Sequence, residues 1–266
     1  LAQLAAEGRS SRAATPDPWA PLMAELARWR AAGRTAPMWW RNDDTGDVMP
    51  PFRRLMEVVR RRRVPVALAV TPAYATKTMA DAVASVETMY VIQHGYAHVN
   101  HAPAGKLECE LNGTRTQSVV EGELLRGMTR LRDLFGARFV PVLAPPWYCL
   151  PPALAARLPA LGYAGVSLSH ARKRRNPVPG LVEANGHVEM IDWKTSPPRC
   201  NRTAVNVGYI LVHLSGKRRG IFEPTEPTGI VTHHHALDEN CWTFLEELFD
   251  RLGRHPAVAW QSPTTV

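Results

Sequence analysis

Hydrophobic positions along the chain come in short runs, each followed by a polar loop and then an amphipathic stretch of about 11 to 16 residues. This is the rhythm of strands alternating with helices. The apolar runs predict strands at Pro37–Arg41, Val64–Thr71, Met89–Gln93, Arg138–Leu143, Gly165–Ser169, Val188–Trp193 and Gly229–His233. About seven such strands are a barrel-like number. Helices are predicted over Pro51–Arg63, over Glu121–Phe135 closed by Gly136, over Pro151–Leu161 closed by Gly162, and over Glu239–Leu252 with Asp238 as N-cap and Gly253 past its end. No internal repeat and no convincing linker divides the chain. Its longest clean apolar run, Val64–Val70, falls far short of the roughly 20 residues of a membrane helix, so no membrane span is expected.

Of 266 residues, 45% are hydrophobic and 21% charged, which is ordinary globular usage and excludes disorder or a coiled coil for the whole chain. The formal charge of +8 invites a nucleic-acid reading. The excess sits in two runs, Arg60–Arg63 at a helix C-terminus and Arg172–Arg175 in a Pro-flanked loop. Both are expected to be solvated surface. Neither is interleaved with aromatics or joined to a recognition motif, so no nucleic-acid partner is expected. Cys109, Cys149, Cys200 and Cys241 are widely spaced, with no CxxC pair, so neither a disulfide scaffold nor a cysteine zinc knuckle is expected. The opening residues lack a complete signal pattern, and the expectation is cytoplasmic. The sequence carries no signal for oligomeric state.

Groups with chemical potential gather at the C-terminal ends of the predicted strands. Asp43 and Asp44 follow one strand, and His94 and His98 another. Pro145–Trp147, Asp192 and His233–His235 stand at the remaining ends. In a barrel of parallel strands the loops at that end converge on one site. His94 and His98, spaced i and i+4, can meet one metal if the segment turns tightly, or serve as surface or structural histidines. Two adjacent carboxylates repel, and one can bind a metal while the other stays free as a base.

The ordered segments RNDD, HGYAH, APPW, IDW and VTH resemble the five-motif series of the polysaccharide deacetylases, the NodB-homology or carbohydrate esterase family 4 group. The resemblance implies an α/β fold, a distorted (β/α) barrel of about seven parallel strands over residues 37–266, after an N-terminal extension and helix in 1–36. It also implies a divalent metal, zinc foremost, and removal of an acetyl group from an N-acetylated sugar or glycan. By position, Asp43 matches the catalytic base, Asp44, His94 and His98 the metal ligands, and His233 the general acid. Asp192 resembles the fourth motif's aspartate, which orients a neighbour. The third motif departs from the pattern, since no arginine stands in FVPVLAPPWYC. Arg41 is the candidate replacement, because Arg41 and Asp43 share a face of an extended strand. A plain salt bridge elsewhere is the other reading of Arg41.

Three histidines stand where the family has one, so the register decides between His233 and His234, with His233 preferred. Supporting roles fall to His101, beyond His98, and to Pro146 and Trp147, the latter either stacking on a sugar or packing its loop. Trp39, Trp40 and Trp193 are expected in the core, and His187, His213 and His255 are given no role. Two other functions fit the same residues: hydrolysis of a different amide or C–N bond in a small molecule, and a non-catalytic carbohydrate-binding relative.

Overall fold

Strands that are apolar without alternation must be buried on both faces, as in a parallel sheet covered by helices. The computed structural model describes residues 17–113 and 115–265. Its strands are β1 (Ala36–Thr45), β2 (Val66–Val70), β3 (Met89–His94), β4 (Phe139–Ala144), β5 (Gly165–Val166), β6 (Val182–Glu183), β7 (Val188–Glu189), β8 (Ile191–Asp192), β9 (Arg199–Cys200), β10 (Thr228–Thr232) and β11 (Val258–Gln261). Every residue of β2 and of β10 is buried.

The main sheet runs β6-β5-β4-β3-β2-β1-β10-β7, all parallel. The order begins and ends on one stretch of chain: residues 182–183 pair with β5, and 188–189 pair with β10. The sheet therefore returns on itself as a distorted barrel. β1 is its hub, with β10 along one side, and β11 then β2 along the other.

The helices are α1 (Ala20–Ala31), α2 (Pro50–Arg62), α3 (Lys77–Ala84), α4 (Gln117–Phe135), α5 (Pro152–Ala155), α6 (Thr203–Arg218) and α7 (Glu239–Leu252). Asp238 caps α7 by accepting from Cys241 N, as its position predicts. α1 belongs to the same core as the barrel: Trp19, Leu22, Leu26 and Trp29 are buried, and Trp19 stacks on Phe244 of α7. Residues 1–16, which hold the expected extension and the opening segment without a complete signal pattern, lie outside the described residues. Among the described residues, no helix is long and apolar enough to cross a membrane.

Several local expectations are corrected. The helix expected over Pro151–Leu161 is α5 plus a separate 3-10 turn, Leu158–Leu161. The strand expected over Val188–Trp193 divides, because β8 leaves the barrel to pair antiparallel with β9. Trp193 is 46% exposed in the turn of that hairpin rather than in the core, whereas Trp39 and Trp40 are buried.

Arg172 is buried, not solvated. Its guanidinium binds Glu223 and Thr225, and its backbone N–H donates to Glu226. Cys109 and Cys149 form a disulfide across 40 residues, which spacing alone could not reveal because the barrel brings together the loops after β3 and β4. Constraining a loop of that size is worth about 3–4 kcal/mol.

Candidate active site and metal centre

In a regular strand Asp43 and Asp44 would point to opposite faces. β1 instead shifts register against β2 between Asn42 and Thr45, and Asp44 takes φ +53°. A bulge of this kind re-aims a side chain, and aspartate tolerates the left-handed region better than most residues. Both carboxylates thus reach the barrel mouth.

Asp43 belongs to Arg41. Nε and Nη2 of Arg41 donate to Oδ1 and Oδ2 of Asp43 at 2.7 and 2.9 Å. Nη1 is pinned from β5's side by the Ser167 carbonyl at 3.2 Å and hydroxyl at 2.5 Å. The guanidinium also lies over the Tyr148 ring, at 5.3 Å. Burial disfavours its charge, yet the Asp43 carboxylate outweighs this and raises the Arg41 pKa. Arg41 is 1% exposed, so this is a buried, bidentate ion pair.

Asp44 faces the other way, toward the histidines. Its Oδ1 lies 3.0 Å from His94 Nε2 and 3.1 Å from His98 Nε2. Burial raises the Asp44 pKa, but the two imidazoles hold it well below the usual carboxylate range. These three ligand atoms all lie within 4.8 Å of one another. Nδ1 of His94 lies 2.8 Å from the Ala144 carbonyl. A carbonyl accepts only a proton-bearing nitrogen, which leaves the Nε2 lone pair turned toward Asp44. This donor set, two imidazoles and one carboxylate with open positions, fits a divalent ion such as zinc.

His98 is held by a carboxylate that sequence reasoning missed. Glu110 is buried and accepts the backbone N–H groups of Tyr96, Ala97 and His98 at 3.1, 2.6 and 3.0 Å. The loop needs this, because Gly95 and His98 both have φ +55°. A Cβ at Gly95 would strike the Glu110 carboxylate and come 2.9 Å from Pro146 Cδ. Next to Glu110, the Cys109–Cys149 disulfide ties this loop to the one carrying Pro146 and Trp147. The Trp147 ring packs 4.3 Å from that of His98. No sequence motif marks Glu110, since its partners are main-chain groups.

β10 ends at Thr232, and the three histidines then part company. His233 enters the site, its Nε2 3.9 Å from Asp43 Oδ2 and its Nδ1 3.6 Å from Glu189 Oε1. Burial lowers its pKa, but Glu189, with smaller contributions from Asp43 and Asp44, outweighs this and raises it. His234 is turned away, its Nδ1 2.9 Å from Asn42 Nδ2, with burial holding its pKa down at about 4. Half-exposed His235 comes within 3.8 Å of Asp44. Asp192 caps the turn after β8 by accepting from Lys194 N, so Glu189, not Asp192, faces His233. Trp193 meets the His233 ring edge-on at 4.9 Å. His101 is outside the triad, and its backbone N–H donates to the Cys109 carbonyl.

No family model and no curated protein matches the chain. Its structure is similar to that of the Bc1960 peptidoglycan N-acetylglucosamine deacetylase, at 11% identity, 87% of each chain and a TM-score of 0.56. It is similar to a CE4 esterase of Streptococcus mutans at 13% identity, 90% of this chain and 89% of that one, with a TM-score of 0.52. The fold is that of carbohydrate esterase family 4. A third similar structure is a mutant of BA3943, a CE4 family pseudoenzyme with restored enzymatic activity, at 12% identity, 87% of this chain, 67% of that one and a TM-score of 0.52. At such identities the family 4 fold alone is shared, and the chemistry has to be read from this chain's own side chains.

His187 and His213 form a second buried cluster with Glu226. Their rings stack at 3.6 Å, and both Nε2 atoms approach Glu226 Oε2, at 3.4 and 3.5 Å. His187 Nδ1 accepts from Gly229 N, so its Nε2 carries the ring proton and faces Glu226 Oε2 at 3.4 Å without a formed hydrogen bond, which leaves it no lone pair for a metal. Burial lowers His213 from 6.5 to about 3, and Glu226, despite burial, is held at about 2 by the two imidazoles. In both cases the unfolded chain binds the proton more readily, so stability contributed near neutrality is lost as pH falls. The urea midpoint of metal-free protein is expected to drop steadily from pH 6.5 toward pH 3; a flat midpoint over that window would contradict this.

Proposed function

We propose that the chain is a metal-dependent hydrolase that removes the acetyl group from an N-acetylated sugar or glycan. The observation carrying this reading is that a ligand triad, a carboxylate pinned by a buried arginine and an imidazole 3.9 Å from that carboxylate meet at one barrel mouth. Asp44, His94 and His98 would hold the ion, zinc foremost. When bound, such an ion polarises an acyl carbonyl and acidifies water. Asp43, held in plane by Arg41, takes the proton of the attacking water. His233, whose pKa Glu189 raises above the ordinary value, returns a proton to the departing nitrogen. Trp147 and Trp193 flank these groups and offer ring faces suited to a sugar. A binding-only relative would need neither the base nor the acid. The disulfide supports an oxidising compartment in place of the cytoplasm expected from the opening residues.

The test is acetate release from N-acetylglucosamine oligomers by zinc-loaded protein. Asp43→Asn is expected to keep its metal and lose turnover, and His94→Ala to lose both. Retained turnover in Asp43→Asn would remove the base assignment. No acetate from a panel of acetylated glycans would overturn the substrate class.

The role of Glu189 has its own readout. His233 must be protonated to act as an acid, so activity falls as pH rises through its pKa, which lies above the ordinary 6.5. Glu189→Gln leaves Asp43, Asp44 and His235 around the ring but removes the main charge that raises it. The alkaline limb of the kcat profile is expected to move to lower pH; an unmoved limb would exclude this pairing.

A further inference from the structure

Away from the ligand triad, the two cysteines outside the disulfide are side by side. Cys200, half-buried on β9, and Cys241, buried in the first turn of α7, have sulfurs within 4.8 Å of each other and of an Asp238 carboxylate oxygen. Their main chains are drawn to the same carboxylate. Cys200 N donates to Asp238 Oδ2 at 3.2 Å, and Cys241 N to Asp238 Oδ1 at 2.8 Å. Asp238 is thereby committed to capping, and the two sulfurs lie side by side, that of Cys241 also 4.0 Å from the Met190 carbonyl and that of Cys200 4.0 Å from Asn206 Nδ2. The same chain carries a closed disulfide elsewhere.

We propose that Cys200 and Cys241 are a thiol–disulfide exchange site that closes into a second disulfide. The Cys200 thiolate, the more accessible of the two, attacks one sulfur of a small-molecule disulfide. A mixed disulfide forms and one small thiolate leaves. The neighbouring Cys200 and burial push the Cys241 thiol well above its ordinary pKa, so Cys241 gives up its proton to the departing small thiolate as its sulfur attacks that of Cys200, and the Cys200–Cys241 bond forms. Two protein thiols are oxidised by two electrons. The reagent is reduced to two small thiols, which take the two protons. The new bond fastens β9 to α7. Because β9 is the return strand of the hairpin whose turn carries Trp193, closure fixes the arm that sets Trp193 beside His233.

The inference is independent of the hydrolase reading, and its test uses no substrate. The full chain is equilibrated with oxidised glutathione, denatured, alkylated and mapped by mass spectrometry. The expected result is no alkylated cysteine and a peptide pair joined through Cys200 and Cys241, which separates on reduction. In Cys200→Ser, Cys241 is expected as the single alkylated residue, with Cys109–Cys149 intact as evidence that the variant folds. Two alkylated thiols in the parent would overturn the proposal. So would a stable glutathione adduct on Cys200 beside a free Cys241.

Discussion

Replacing Arg41 by Met is expected to abolish turnover and to lower the unfolding free energy by about 3–5 kcal/mol, the cost of leaving one member of a buried ion pair uncompensated. Arg41 donates to both oxygens of Asp43 and is itself pinned by Ser167, so its loss frees a carboxylate inside the protein and unties β1 from the strand beyond β4. Arg41→Lys keeps the charge but replaces a planar fork by a point donor that cannot hold both oxygens. It is expected to retain metal, since Arg41 does not touch Asp44 or the histidines, and still to lose about 100-fold in kcat through misplacement of Asp43. Urea midpoints, metal content and acetate release together decide this. Arg41→Lys turning over within a factor of about two of the parent would show that Asp43 does not depend on the fork.

Gly95→Ala is expected to damage both the fold and the metal centre. The position combines φ +55° with a Cβ path into the Glu110 carboxylate, so either the loop or Glu110 must move. Backbone strain and overpacking together cost about 2–4 kcal/mol. Either movement displaces His98, whose N–H is one of the three that Glu110 accepts. Zinc affinity is expected to fall about 10- to 100-fold, the usual penalty for losing a group that orients a ligand. Glu110→Gln gives the control: with no added bulk, it should weaken zinc while costing less stability. Metal competition titrations that leave the affinity of both variants unchanged would mean the loop is held by other contacts.

The sequence was most legible where a single strand fixes a side chain. Asp43 and His94 sit at the ends of β1 and β3, and period-two alternation placed Arg41 beside Asp43, whereas Asp44 reaches the site only through the bulge. It was least legible where the contact is remote in the chain or is made to main-chain groups. Nothing local ties Cys109 to Cys149, Glu110 to the loop of His98, or Arg172 to Glu223. Each pairing exists only once the barrel has set the loops. Glu189 escaped notice because β7 and β8 read as one continuous strand, which put Asp192 where Glu189 stands.

Closure of the sheet on residues 182–189 also bears on how copies of this chain meet. A strand with an unpaired side is a template for another chain's backbone, and open sheets must defend theirs with charge, proline or brevity. Here the first and last places in the strand order are taken by a single stretch, two residues of it on β5 and two on β10, so the ends of the order are as short as a strand can be. Lengthening the connection between Glu183 and Val188 would let the two halves of that stretch part, and would expose β5 and β10 together. An insertion there should therefore show itself first as self-association.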